Sequence, residues 1–271
     1  MESWVDGQPA DVLSLKDRGL AYGDGLFETI AVRNGEPVLL ERHLRRLELG
    51  CQRLALNLDN GALRAELDTY AQRLGDGVLK LIVTRGDSLR GYSADPSAQG
   101  RRILQGNPPA AYPAAHAQQG VALFPCATRL SEQPLLAGLK HLNRLEQVMA
   151  RAEWSDSEHA EGLMLDTSGR VIEGVFSNLF IVRDDVLITA DLSRCGVAGV
   201  MRAELLFQAE SQGIATQVTD IRLEQLRQAD EVFVCNSVYG VWPVRAYGST
   251  RWSAGPLTRK LQTLARALLD V

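Results

Sequence analysis

Cysteine and histidine are scarce in this chain, four of each in 271 residues. Cys51, Cys126, Cys195 and Cys235 lie far apart and form no C-x-x-C pair. That argues against a metal cluster and agrees with the reduced thiols of a cytoplasmic protein. The histidines show no ligand spacing, so no metal site is predicted. No window approaches 18 uninterrupted apolar residues, so no membrane span is predicted. The opening Met-Glu-Ser-Trp-Val-Asp lacks the basic and apolar regions of a signal peptide. Positive charge is not in excess either. A formal net charge of −4 gives no electrostatic pull toward nucleic acid or anionic lipid. Internal repeats, heptad seams and low-complexity tracts are missing as well.

What is present reads as an ordinary soluble globular protein, 45% hydrophobic and 23% charged. Its length suits one large or two modest domains with real cores. Three prolines and little periodicity between residues 107 and 120 mark a linker. An N-terminal domain is therefore expected over 1–106 and a C-terminal domain over 121–271. In the first, short strands are predicted at 12–17 and 26–32 around the glycine loop Arg18-Gly-Leu-Ala-Tyr-Gly-Asp-Gly25. Asn34-Gly35 signals a hairpin with Pro37-Val-Leu-Leu40 as partner strand. Helices follow over 41–54 and 60–74, then strands at 78–84 and 102–105. In the second half, strands are predicted near 121–124, 161–166, 171–174, 177–182, 186–189, 231–235 and 242–244. A long helix follows Cys195-Gly-Val-Ala-Gly-Val-Met-Arg202, a short one covers 221–228, and a last one spans 256–269.

Candidate chemistry concentrates in a few places. Leu139, Leu142, Leu145, Val148 and Ala152 recur at helical spacing, which predicts an amphipathic helix with Lys140 at its start. The helix dipole disfavours a cation there, so Lys140 is a candidate for an amine kept neutral, as a Schiff-base nucleophile must be. A surface lysine with its stem along the helix is the ordinary alternative. Glu173 lies in an apolar run and is expected to be buried with a partner, structural or functional. Among Arg42, Arg45 and Arg46, one leaning inward would clamp a phosphate. The glycine turn before Val200 and Met201 feeds a helix N-terminus whose first amides suit an anion. Arg85, Arg90 and Tyr92 form a donor set for a carboxylate. Asn236 and Ser237 close a strand where a ligand would meet it.

One cofactor accounts for all of these together: pyridoxal 5′-phosphate, which needs a lysine, an acid at the pyridine nitrogen and donors for its phosphate. The stretches Arg18 to Gly25, His43-Leu-Arg-Arg-Leu47, Lys140 with Leu142-Asn-Arg-Leu145, Glu173-Gly with Ser177-Asn-Leu-Phe180, Gly196 to Arg202 and Cys235-Asn236 occur in order. On them the chain resembles the fold-type IV pyridoxal-phosphate enzymes, the branched-chain and D-amino acid aminotransferases and the aminodeoxychorismate lyases. Similarity to the lyase branch is closest, through Gly77-Val-Leu-Lys80, the stretch from Arg85 to Ser93, Lys140 to Val148, and Asp230 to Asn236. Ala198 departs from the asparagine expected in some lyases.

The resemblance implies an α/β (α+β) fold of two domains, a smaller N-terminal α/β domain and a larger C-terminal pseudo-barrel. It also implies a homodimer acting on a small molecule, with aminodeoxychorismate as substrate. Lys140 would form the Schiff base and Glu173 would pair with the pyridine nitrogen. Arg46, the amides of Val200 and Met201, Asn236 and Ser237 would bind cofactor. Arg90, Tyr92 and Tyr22 would meet substrate. A transaminase of the same fold, or a pyridoxal-phosphate protein without catalysis, are the rival readings.

Overall fold

The computed structural model describes residues 2–88 and 91–270. By contacts the chain forms two compact units. The first runs through Ala110 and also takes in Leu139–Asn143, while Ala111–Gly138 and Arg144–Asp270 form the second.

In chain order the first unit contains β1 (Trp4–Val5), β2 (Gln8–Pro9), α1 (Arg18–Tyr22), β3 (Gly25–Arg33), β4 (Glu36–Pro37), α2 (Leu40–Leu54), α3 (Asn60–Leu74), β5 (Gly77–Thr84) and β6 (Arg101–Asn107). Its strands form one antiparallel sheet in the order β2-β1-β6-β5-β3-β4. Leu47 and Cys51 of α2 and Leu63, Leu67 and Tyr70 of α3 are buried, as are Ile30, Leu79, Leu81 and Val83 on the sheet. Each buried leucine, isoleucine or valine among them stabilises by about 1.5–3 kcal/mol. The hairpin after β3 has the expected chemistry, with Asn34 and Gly35 both at positive φ as a type I′ turn demands.

Three expectations fail in this unit. Residues 12–17 form no strand, because Asp17 instead caps a short helix by accepting from the amides of Gly19 and Leu20. The glycine loop is thus mostly α1, closed by Gly23 at φ 65, and Gly25 then lies so close to β5 that a Cβ would meet the Val83 carbonyl at 2.2 Å. The partner strand at 37–40 is cut short, since Leu39 turns left-handed at φ 55 and α2 begins at Leu40.

The second unit comprises α4 (Ala114–Gln118), β7 (Val121–Leu130), α5 (Leu145–Arg151), β8 (His159–Asp166), β9 (Arg170–Gly174), β10 (Asn178–Arg183), β11 (Val186–Ala190), α6 (Val200–Ser211), β12 (Thr216–Thr219), β13 (Ile221–Arg222), α7 (Leu223–Arg227), β14 (Glu231–Asn236), β15 (Gly240–Tyr247), β16 (Thr250–Arg251) and α8 (Pro256–Leu269). The sheet order is β12-β11-β10-β14-β15-β7-β8-β9-β13, with β7 parallel to both β8 and β15. A further pairing, Asn178 on β10 with Glu173 on β9, closes part of this sheet on itself as a pseudo-barrel. Leu163, Leu179, Val234 and Val244 are fully buried in its core. Phe180 and Phe233 stack across β10 and β14 with centroids 5.0 Å apart. Such a pair adds about 0.5–1.5 kcal/mol beyond its area. The stretch read as a linker is partly ordered: α4 lies within it, and Arg259 donates to the carbonyls of Ala117 and Gln118. Among the described residues no helix is long and apolar enough to cross a membrane.

The helix expected from Gly138 onward begins only at Leu145. Gly138 sits at φ 79, and the next residues run extended along β3. The Phe27 amide donates to the Lys140 carbonyl at 2.9 Å, and the Leu142 amide to the Gly25 carbonyl at 3.0 Å. Strand-like pairing satisfies this backbone, so a helix is not needed. Leu145 and Val148 are exposed rather than part of a buried stripe.

Candidate active site

Lys140 therefore does not lie at a helix start, and the dipole argument for it fails. What surrounds it in the first unit is an aromatic ring and a buried charge cluster. Its Nζ lies 4.3 Å from the Phe27 ring centroid. Glu28, the next residue on β3, is 1% exposed and accepts from Nε of Arg46 at 2.8 Å. Its other oxygen meets His43 Nδ1 at 2.6 Å and Arg46 Nη2. Burial alone would raise the Glu28 pKa, but Arg46 and His43 hold it down to about 2. Burial lowers the His43 pKa; Glu28 opposes that, while Arg46 and Lys140 add to it. Arg46 thus does lean inward from α2, with a carboxylate fixing its plane.

The same unit brings together two of the three residues expected to meet substrate. The Tyr22 and Tyr92 rings are 5.5 Å apart. Arg18 joins them: it donates to the carbonyls of Gly91 and Tyr92 and lies 4.9 Å from the Tyr22 ring. Arg90 lies outside the described residues. Arg85, read as a carboxylate donor, is engaged otherwise. It pairs with Asp24 through two nitrogens and donates to the carbonyls of Leu54 and Ala55.

In the second unit the seam that closes the barrel carries the acid. Glu173 is 3% exposed, and its Oε2 accepts from the Val197 amide at 2.8 Å and from Asn178 Nδ2 at 3.4 Å. The same Nδ2 donates to the Val197 carbonyl at 2.9 Å. Asn178 also faces Cys235 across β14, so one residue joins the acid, the glycine turn and the end of β14. The turn is built to let α6 start close by. A Cβ on its N-cap, Gly199, would lie 1.9 Å from Asn178 Oδ1, and no side chain caps the helix. The first amides, including those of Val200 and Met201, have no acceptor within the helix. Ser237 sits half-buried in the turn after β14. Asn236 shapes that turn: its Oδ1 accepts from the amides of Val238 and Tyr239, and its Nδ2 donates to the Phe176 carbonyl.

Asn178 and Glu28, which hold Glu173 and Arg46, are not singled out by the sequence. Nothing in an alternating strand pattern says which two strands will close a sheet, so the bridging role of Asn178 has no local signature. Glu28 had a usable signal, the one charged residue in the mostly apolar stretch from Leu26 to Ala31. Arg202 also escaped notice. It donates to the Ala190 carbonyl, and burial lowers its pKa.

These groups fit pyridoxal 5′-phosphate in kind. A pyridine nitrogen calls for a fixed, shielded acid, and Glu173 is held in a strand seam. A phosphate calls for unclaimed amide donors approachable by backbone, and the glycine N-cap of α6 leaves no side chain in the way.

Comparison with known proteins bears on the same point. The amino-transferase class IV family model matches residues 25–247. An aminodeoxychorismate lyase from Vibrio harveyi is 39% identical over 96% of this chain and 97% of that protein. A crystal structure of 4-amino-4-deoxychorismate lyase from Pseudomonas aeruginosa is 64% identical, covers 99% of this chain and all of that one, and superposes with a TM-score of 0.97. A D-alanine aminotransferase from Bacillus licheniformis is 29% identical over 93% of this chain and 89% of that protein.

Proposed function

We propose that this chain, which belongs to the amino-transferase class IV family, is a pyridoxal 5′-phosphate-dependent lyase that converts 4-amino-4-deoxychorismate to 4-aminobenzoate and pyruvate, a step of folate biosynthesis. The observation that carries the reading is the 64% identity, along essentially the whole chain, to the Pseudomonas aeruginosa lyase. When bound, the cofactor supplies an aldehyde for covalent attachment and a cationic ring that takes up electrons. Lys140 would hold the cofactor's aldehyde and would be the base that removes the proton from the substrate carbon bearing nitrogen. Glu173 keeps the pyridine nitrogen protonated. The amides of Val200 and Met201, the Ser237 hydroxyl and Arg46 hold the phosphate. Arg90 and Tyr92 trap a substrate carboxylate, and Tyr22 lines the substrate's place. Departure of the enolpyruvyl oxygen leaves an aromatic ring, which drives the reaction forward. The family resemblance further supports a cytoplasmic homodimer. A light-scattering mass of a single chain would overturn the dimer.

Purified enzyme given aminodeoxychorismate is expected to release 4-aminobenzoate and pyruvate with no keto-acid present. Lys140→Ala should lose the cofactor's visible absorbance and at least about 10⁴-fold of turnover, since nucleophile and base go together. Undiminished turnover in that variant would refute the assignment. The D-alanine aminotransferase relative keeps a second reading in view. Transfer of an amino group from a D- or branched-chain amino acid to an added keto acid, which becomes an amino acid, would favour it.

A further inference from the structure

A buried carboxylate that this reaction does not use lies beside the barrel seam. Glu161, on β8, is 0% exposed. Its Oε1 accepts from the amides of Gly162 at 2.8 Å and Val175 at 2.9 Å. Its Oε2 accepts from the Ser177 hydroxyl at 2.7 Å and the Phe176 amide at 3.4 Å. Three of these four donors belong to residues 175–177, the connection between β9 and β10. The residues on either side of that connection are Gly174, which follows Glu173, and Asn178. The connection also touches the next loop, because Asn236 donates to the Phe176 carbonyl at 3.3 Å. In that loop the Tyr239 ring stacks on Trp242 with centroids 3.7 Å apart. A single side chain therefore grips the short stretch that joins the acid to its Asn178 partner, and that stretch in turn meets the turn carrying Ser237.

We propose that Glu161 is a positioning residue: by holding residues 175–177 it sets the orientation of Glu173 and of the turn from Asn236 to Tyr239 toward the cofactor. The inference rests on the reading that Glu173 meets the cofactor ring. Its physical basis is that four donors converge on two oxygens. A glutamine would replace one oxygen by an NH₂ group that points at donors and satisfies none of them. The connection would then be free to shift; outer groups that orient metal ligands change affinity by about 10- to 100-fold when lost, and a loss of that order is expected for an acid held in the same way.

The test uses the holoenzyme at about pH 8, where the Glu161 carboxyl is ionised. Pyridoxal 5′-phosphate affinity is measured by absorbance titration, together with circular dichroism in the cofactor band and the Tm of the cofactor-free chain. Glu161→Gln should weaken cofactor binding by about tenfold or more and change the dichroic band. Ser177→Ala, which removes one donor and folds more readily, should weaken it by about threefold. Glu231→Gln is the control. Glu231 is also buried and accepts from the amides of Leu257 and Thr258, but it lies at the opposite end of β14 from Asn236. It should lower Tm while leaving cofactor affinity within about twofold. If Glu161→Gln and Ser177→Ala lower Tm as Glu231→Gln does and leave affinity and dichroism unchanged, the positioning role is wrong and the cofactor reading stands. If the unaltered chain binds no pyridoxal 5′-phosphate, both fall.

Discussion

The two units bury their carboxylates by different means. In the first, acids meet cations: Asp17 with Arg101, Asp24 with Arg18 and Arg85, Glu28 with Arg46 and His43, Glu66 with Arg102. In the second, they meet mostly peptide amides: Glu161, Glu173 with Val197, Glu231 with the start of α8, Glu153 with Ala127 and Thr128. Asp166 there takes both kinds, two amides and the Arg170 guanidinium. The electrostatic outcome differs accordingly. Both Glu28 and Glu161 are wholly buried, yet Glu28 is held down to about 2 while burial pushes Glu161 up to about 7 in spite of its four donors. At Glu161 the neutral donors orient the carboxylate without offsetting its burial, whereas at Glu28 the cations more than offset it.

The sharpest break in this contrast is Glu28→Gln. It removes the negative charge that Arg46 and the buried His43 share, and loss of one partner from a buried ion pair costs about 3–5 kcal/mol. A urea-unfolding midpoint unchanged from that of the parent would show that the cations of the first unit do not stabilise it.

Next in size comes the pH response, where the two groups have opposite signs. The folded-state pKa of Glu28 lies below its ordinary 4.5, so its contribution is complete above 4.5 and lost as pH falls toward about 2. That of Glu161 lies above 4.5, so its contribution is complete below 4.5 and lost as pH rises through about 7. Chemical unfolding across both windows should show Glu28→Gln flattening the acid limb alone and Glu161→Gln flattening the decline between 4.5 and 7 alone. Crossed effects would sink the contrast. The smallest effect is expected at the surface. Arg64 and Glu41 pair with side chains 44% and 76% exposed, so Glu41→Gln should shift unfolding by no more than about 0.5 kcal/mol.

Sequence made the regular elements visible where local forces decide them. The helix at Asn60–Leu74 follows its apolar spacing and its Asp59 cap, and the hairpin at Asn34 follows from φ preferences alone. The Lys140 segment shows the opposite. Leu139, Leu142, Leu145 and Val148 imitate a helical stripe, but pairing along β3 outcompetes it, and no local pattern reports a distant strand edge. Arg85 illustrates the same limit: a loop arginine beside glycines looks ready for a ligand until Asp24 is found against it. Glu173 was legible as a buried acid. That Asn178 faces it, and that Glu161 grips the connection between them, depends on how the barrel closes.

The excursion of Leu139–Asn143 bears on how this protein can be taken apart. Five residues encoded between two pieces of the larger unit are folded as an edge of the smaller one. Severing the chain after Ala110 would thus yield one fragment missing the peptide that borders β3 and another bearing a lysine whose backbone has lost its neighbour. Transplanting either half into a relative would have to carry that peptide along, so the lysine and the strand beside it are bound to be inherited together.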